Sequence, residues 1–414
     1  MTQRQIFSEK SITKYVAEST LGGGGTAART WISKADGFPV TKISEVPVMD
    51  ARQYAWDKQT PSQSLKSWEW KISQTVRMLS AKLNAAATPA TPANIVGLKT
   101  AFGGSGASNE SAGTTIGGTG TATTTTFTCG TAGHYARFQV NQFINVVISG
   151  VNYWSIVKAV NSGSNAITLA IALPSIPADG AVVHNMLSYC PTHPSGGTMY
   201  IEHVFPDHSD LQFKLYGGLA DLEFGMDSDK ACQIVQSYKG KSWERGALSL
   251  DTSTYTADTQ GAQFVWSLGD CIIQGPNTTT RSLLTLVNWS FKIMYAGAFI
   301  NEITATGSQG ASGAYRQLSE HFAEIQLRTL FDVDWWTTYT AQSQVRCAFV
   351  VPAGSGTSKQ FYGHHFPRAT IIGDPTIVKD GEGNPLYMDI TLHAQIDPTE
   401  STVFGRAPYI VSIG

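Results

Sequence analysis

Charge is scarce in this chain. Only 14% of its 414 residues are Asp, Glu, Lys or Arg, against about 25% in an average globular protein. Intrinsic disorder is excluded by the same composition, because disordered chains are charge-rich and poor in aromatics, whereas 10% of the residues here are aromatic. Lys and Arg form no run, and the formal net charge is −2, so a basic nucleic-acid-binding stripe is missing. Cysteine is also sparse: Cys129, Cys190, Cys232, Cys271 and Cys347 are odd in number and scattered. They form neither a CxxC pair nor a metal spacing, which predicts buried free thiols and assembly in a reducing compartment. The longest apolar stretch, Ala166 to Leu173, contains Thr168 and stops at Pro174, too short to span a bilayer. Residues 1–15 carry Arg4, Glu9, Lys10 and Lys14 and do not read as a signal peptide.

Active-site grammar is equally thin. Gly22-Gly23-Gly24-Gly25-Thr26 lacks the lysine of a phosphate-cradling loop and reads as a flexible linker. Gly103-Gly104-Ser105-Gly106-Ala107 falls short of a nucleophile elbow and follows a predicted helix rather than a strand. His203, Asp207, His208 and Asp210 are metal-ligand types, but Pro206 to Asp210 has the composition of a turn. His364 and His365 are adjacent, so on a strand they point to opposite faces and do not share an ion. Glu320 and Glu324 have the i, i+4 spacing of a solvated helix face, and Trp335-Trp336 reads as core or interface. No catalytic, cofactor-binding or metal-binding residue is therefore assigned, and no enzymatic activity or cofactor is expected.

Present in quantity are Thr, Ser, Asn, 40 Gly and the aromatics, which favour strands and turns. Trp68 to Leu83, Val287 to Ile300, Thr198 to Phe205, Leu211 to Leu215, Cys232 to Trp243, Val345 to Val351 and Leu386 to Ile396 are predicted strands. Three landmarks suggest an internal duplication. Ser64 to Ile72 and Thr285 to Ile293 share the form S/T-L-x-x-W-x-aromatic-K-I, 221 residues apart (72 to 293). Ile95, Leu98 and Phe102 fall at helical spacing between Thr91-Pro92 and Gly103, and Tyr315, Leu318 and Phe322 repeat that spacing. Leu215-Tyr216-Gly217 is matched by Phe361-Tyr362-Gly363. Between the second and third landmarks the first half carries about 75 additional residues, in which short strands alternate with the turns Ser149-Gly150 and Asn161 to Asn165. The expected fold is mainly β: two tandem β-sandwich or barrel domains, each with one flanking helix, plus an inserted small β-barrel. The boundaries read as an arm at 1–30, a split first domain at 31–111 and 191–250, the insertion at 112–190, and a second domain at 251–414.

In this order the landmarks resemble a tail tube (major tail) protein of long-tailed bacteriophages. Glu18-Ser19-Thr20-Leu21-Gly22 leads to Trp31 and then Pro39-Val40-Thr41-Lys42-Ile43, followed by the Trp68 strand, the Thr91 helix and the Tyr216-Gly217 strand. The resemblance implies β-sandwich domains forming rings that stack into a hollow tube, three duplicated chains making a pseudo-sixfold ring. It also implies a location in the virion tail after assembly in the host cytoplasm, with no membrane partner. Other copies of the chain, tail terminator, baseplate or tip, and tape-measure proteins are the implied partners. Genomic DNA would pass through without specific binding. The competing class is a receptor- or carbohydrate-binding fibre or decoration protein, which the Trp content and Ser/Thr-rich surface also suit; a hydrolase ranks third.

Overall fold

The structure, a computed structural model, describes residues 12–18, 30–32, 40–48, 63–77, 95–102, 108–118, 122–191, 197–205, 212–225, 232–240, 242–248, 264–265, 269–284, 286–303, 308–331, 333–379 and 386–414. The first part holds β1 (Ile12–Ala17), β2 (Thr30–Ile32), β3 (Val40–Val48), β4 (Gln63–Arg77) and helix α1 (Ile95–Phe102). Next come β5 (Ser108–Asn109), β6 (Thr114–Gly117), β7 (Thr126–Cys129), β8 (Phe143–Ile148), β9 (Val151–Asn161), β10 (Ala166–Leu169), β11 (Val182–Asn185) and β12 (Leu187–Tyr189). They are followed by β13 (Met199–Val204), β14 (Gln212–Gly225), β15 (Gln233–Gly240) and β16 (Ser242–Gly246). The remainder is β17 (Asp270–Gln274), β18 (Leu286–Ile303), β19 (Ser308–Leu330), α2 (Val333–Thr340), β20 (Val345–Ala353), β21 (Gln360–Lys379), β22 (Leu386–Ala394), α3 (Val403–Arg406) and β23 (Ile410–Ile413). The protein is mainly β, as its composition predicts.

One pairing order occurs twice. In the first half β1 pairs with β13, β13 with β14, β14 with β15, β15 with β4, and β4 with β3. In the second half β17 pairs with β20, β20 with β21, β21 with β22, β22 with β19, and β19 with β18. All these pairs are antiparallel, and in each half a long hairpin precedes one helix and three further strands. β14 and β21 each serve two sheets. β14 leaves β13 at Gly218, opposite Met199, and joins β15 at Leu219, opposite Lys239. β21 leaves β20 and joins β22 at Ala369.

Matching the halves at these switch points corrects the sequence landmarks. Trp68 lies on the second strand of its hairpin and Trp289 on the first strand of its own, so the 221-residue offset does not join equivalent strands. β4 corresponds to β19, with Lys71 matching Glu324, because each sits in a row of four facing residues: Val40, Lys71, Lys239, Leu219 and Lys292, Glu324, His393, Thr370. Tyr315 to Phe322 is not a helix; it lies inside β19, and the helix of the second half is Val333–Thr340. Its misleading spacing accompanies an irregularity: Leu318 faces Tyr295, whereas Ala323 faces Ile293, so the β19 chain bulges between them. Glu320 and Glu324 consequently lie along one strand, Glu320 in the bulged stretch and Glu324 opposite Lys292, and are not neighbours on a helix. Ser308 to Gly313 is strand as well.

The insertion is a closed barrel of six strands in the order β10-β7-β6-β11-β8-β9. Its interior is filled by Phe127, Ile144, Val146, Val157, Ile167 and Val183, among others. Ser149 and Gly150 turn with positive φ between β8 and β9, where the sequence places a turn. Leu187–Tyr189 belongs to the host instead, pairing with Val411 to Ile413 of β23 and with Ser108–Asn109. Although it interrupts the first half of the chain, the barrel docks on the second. Phe143, Trp154, Ile156 and Ile171 form one buried cluster with Ile272, Ala348, Val350 and Phe361.

Candidate assembly interface

The residues singled out for chemistry do not converge. His203 is buried against the Thr13 hydroxyl, 2.9 Å from Nδ1; Asp207, His208, Asp210, the Gly22–Gly25 run and the Gly103–Ala107 segment lie outside the described residues. His364 and His365 diverge as strand geometry requires. His364 Nδ1 is 2.7 Å from the Tyr409 hydroxyl in the aromatic core, and His365 Nδ1 is 2.7 Å from the Asn141 carbonyl of the barrel. Burial holds all three imidazoles neutral, lowering His203 to about 4 and His364 well below its ordinary value. Burial and then the Arg346 charge take His365 to about 3. The five cysteines are free and buried. Desolvation raises Cys129 to about 11 and Cys232 to about 12, and moves the other three upward as well, so none is a ready thiolate. No cluster of three or more metal-ligating side chains occurs among the described residues, and no helix among them is long and apolar enough to cross a membrane.

A shallow depression lies over Ser290, Gln326, Arg328, Asp389 and Thr391. The Arg328 guanidinium donates to both Asp389 carboxylate oxygens, at 2.7 and 2.8 Å. Its one aromatic residue, Trp289, is 2% exposed and stacks on Phe349 and Phe291, which leaves no ring face for a sugar.

The large feature is a sheet. β3, β4, β15, β14, β18, β19, β22 and β21 follow one another in a single antiparallel run, joined across the halves by Glu223 opposite Lys292 and Phe224 opposite Phe291. One face of this run is apolar and packed: Trp70, Ile72, Ile234, Tyr238, Phe224, Ile325 and Met388 are buried. Most described residues on its other face are polar with both signs of charge, including Lys71, Lys239, Glu324, Gln326, Arg328 and Asp389, beside the apolar Leu219, Ile372 and Leu330. Among the described residues, the outer edge of β3 and that of the second part of β21 pair with no further strand. Edges of this kind are templates for another chain. The only prolines in the eight strands that lie beyond the switch points are Pro47 in β3 and Pro375 in β21, at the two ends of the run. Proline is confined to edge strands and bulges because it cannot donate to a ladder.

The second edge is apolar where it should not be. Ile377 on β21 is 48% exposed, and Leu330, Val333 and Leu386 at the same end of the sheet are 44%, 64% and 43% exposed. Phe331 N–H donates to the Leu386 carbonyl, which ties these strand ends together. Sequence reading missed this site. The available signal was Gly373-Asp374-Pro375 followed by Thr376-Ile377-Val378: a bend, an edge-forcing proline and then apolar strand residues. No protein-family model matches the chain, and comparison with curated proteins returns no match.

Proposed function

We propose that this chain is a structural subunit that closes into rings and stacks into a tube, as a phage tail tube protein does. The observation that carries the reading is the eight-strand run through both repeats, which ends in two unlike edges that are open among the described residues. A sheet that long is more stable closed, because closure removes edges. Two different edges meet head to tail, which generates a ring when the rotation closes. The internal repeat makes each chain two units of such a ring, so three copies supply a pseudo-sixfold closure. The polar, mixed-charge face would then line the lumen, where carboxylates such as Glu324 and Asp389 among the lysines would keep DNA from being held by its phosphates. Terminator, tip and tape-measure proteins are the partners this role requires, in a virion tail assembled in the host cytoplasm.

Negative-stain electron microscopy of the purified chain tests the reading. Rings or stacked tubes are the expected result. Isolated particles that bind a glycan array would favour the receptor-binding alternative, for which no exposed aromatic platform lines the depression described above.

A further inference from the structure

Resting on that reading, we infer that the outer edge of β21 around Thr376 and Ile377 pairs with the outer edge of β3 around Val40 in a second copy of this chain. The register is that of the junction already present inside the chain. In the first repeat, Phe224 lies opposite Ile234, six residues before the end of β15 at Gly240. In the second, Ile377 lies opposite Met388, six residues before the end of β22 at Ala394. Phe224 and Ile377 therefore occupy the same place, and so do Glu223 and Thr376. On the other side of the junction Lys292 corresponds to Val40, because both start the matched rows that cross Glu324 and Lys71. Glu223 faces Lys292 within the chain; Thr376 accordingly faces Val40 of the next copy.

The environments of the two equivalent positions differ in the way an unfilled interface requires. Phe224 is 2% exposed, stacked on Phe291 at 5.1 Å and closed over by His364 and Tyr409. Its counterpart Ile377 is 48% exposed. Ile234 and Met388, directly opposite, are both buried, so the neighbouring strands present the same face in both repeats. What Ile377 lacks is the next repeat. The occupant is a second copy because the strand that covers Phe224, β18, is matched within this protein by β3, whose outer edge pairs with no further strand among the described residues. The backbone directions agree: β14 and β18 are antiparallel, and β21 and β3 stand in the same positions of the run. The lateral contact is short, as the internal one is, since β21 leaves its other sheet only at Ala369 and bulges between Ile372 and Thr376.

The test uses full-length chain with two introduced cysteines, Thr376→Cys and Val40→Cys, treated with a short bis-maleimide. The five native thiols are buried. Glu223→Cys with Lys292→Cys is the internal control, reacting within one chain. A denaturing gel should show a ladder ending at three chains for the first pair and a single-chain product for the second. Ile377→Asp added to the first pair should abolish both the ladder and the rings, while leaving the monomer folded by circular dichroism, because the residue is exposed in the single chain. Rings on the grid with no ladder, although the control pair reacts, overturn the inference and leave the tube reading standing. Rings unaffected by Ile377→Asp overturn it as well. Wild-type chain that stays monomeric, together with no ladder from the Thr376→Cys, Val40→Cys chain, overturns both.

Discussion

The two repeats solve one packing problem with different side chains. In the first, Trp70 is buried against two glycines: a Cβ on Gly240 would lie 2.3 Å from its ring and one on Gly218 would lie 2.8 Å away. The matching positions of the second repeat, Ala323, Ala394 and Ala369, are all alanine and all buried. One indole beside two missing side chains gives way to three methyl groups, so the backbone arrangement persists while the residue pattern is rewritten. Interiors are packed densely enough that such exchanges succeed only together. A repeat can thus be complete in space and nearly unreadable along the chain.

The halves also differ in what completes them. The outer sheet of the second repeat is finished by the inserted barrel, whose Phe143 closes on Gly363; a Cβ there would lie 2.9 Å from the ring. Arg281 stacks over Trp154 at 4.3 Å and donates to its carbonyl, and the Trp154 indole N–H donates to Asp270 at 2.8 Å. Deleting residues 112–186 therefore has the largest expected effect. Ile272, Ala348, Val350 and Phe361 would be left facing water, and the product should be aggregated rather than soluble on gel filtration. A soluble, cooperatively unfolding deletion would show the barrel to be an accessory and erase this difference between the halves.

Trp70→Ala comes next. It should cost about 3–5 kcal/mol in urea unfolding, as large-to-small changes of buried aromatics do. Gly240→Ala alone should cost about 3 kcal/mol through overpacking. In the Trp70→Ala background the same Gly240→Ala change should cost almost nothing, because the pair then matches Ala323 and Ala394. Additive effects in that double-mutant cycle would break the equivalence of the two sites.

Acid separates the repeats as well. His203 lies on β13 of the first repeat, and His364 and His365 lie on β21 of the second. Their folded values are depressed, so below about pH 6.5 the unfolded chain takes up protons that the folded chain does not. Stability should be full at neutral pH and fall as the pH drops from about 6.5 towards 4, with His203 alone accounting for a loss on the order of 3 kcal/mol. His203→Gln should flatten part of the decline in urea midpoint between pH 7 and pH 5. An unchanged slope would mean that the imidazole is already charged in the fold. The smallest effect belongs to Asp389→Asn, which breaks a half-exposed pair with Arg328 and should change the unfolding free energy by less than about 1 kcal/mol.

Much of this architecture is legible in the sequence because it is written locally. Met388, Ile390, Leu392 and Ala394 alternate with polar residues and are buried on β22. Ser149-Gly150 and Asn161 to Asn165 turn the barrel strands where their composition places turns. Adjacent histidines diverge because a strand makes them diverge. The misreadings concern what is set in three dimensions. Tyr315, Leu318 and Phe322 have helical spacing inside a strand, and the β19 chain bulges between Leu318, which faces Tyr295, and Ala323, which faces Ile293. The Trp68 and Trp289 motifs match because long strands of one sheet draw on the same aromatic and β-branched residues, not because they share a position. Gly363 looks like the partner of Gly217, yet Gly217 has φ +67° beside the switch point, whereas Gly363 makes room for a ring of the barrel. That the barrel leans on the half it does not interrupt has no local signal at all.

The number of strands in the long run has a consequence of its own. With eight alternating strands, the last runs opposite to the first, so in the proposed ring a neighbour would join in the favoured antiparallel sense while keeping the same orientation. An odd count would force either a parallel seam or an inverted neighbour. Every copy in a ring closed this way points in one direction, and the two rims of the ring are chemically different. Stacked rings of the proposed kind would inherit a head and a tail, and a conduit built from them would be vectorial before any other protein capped its ends.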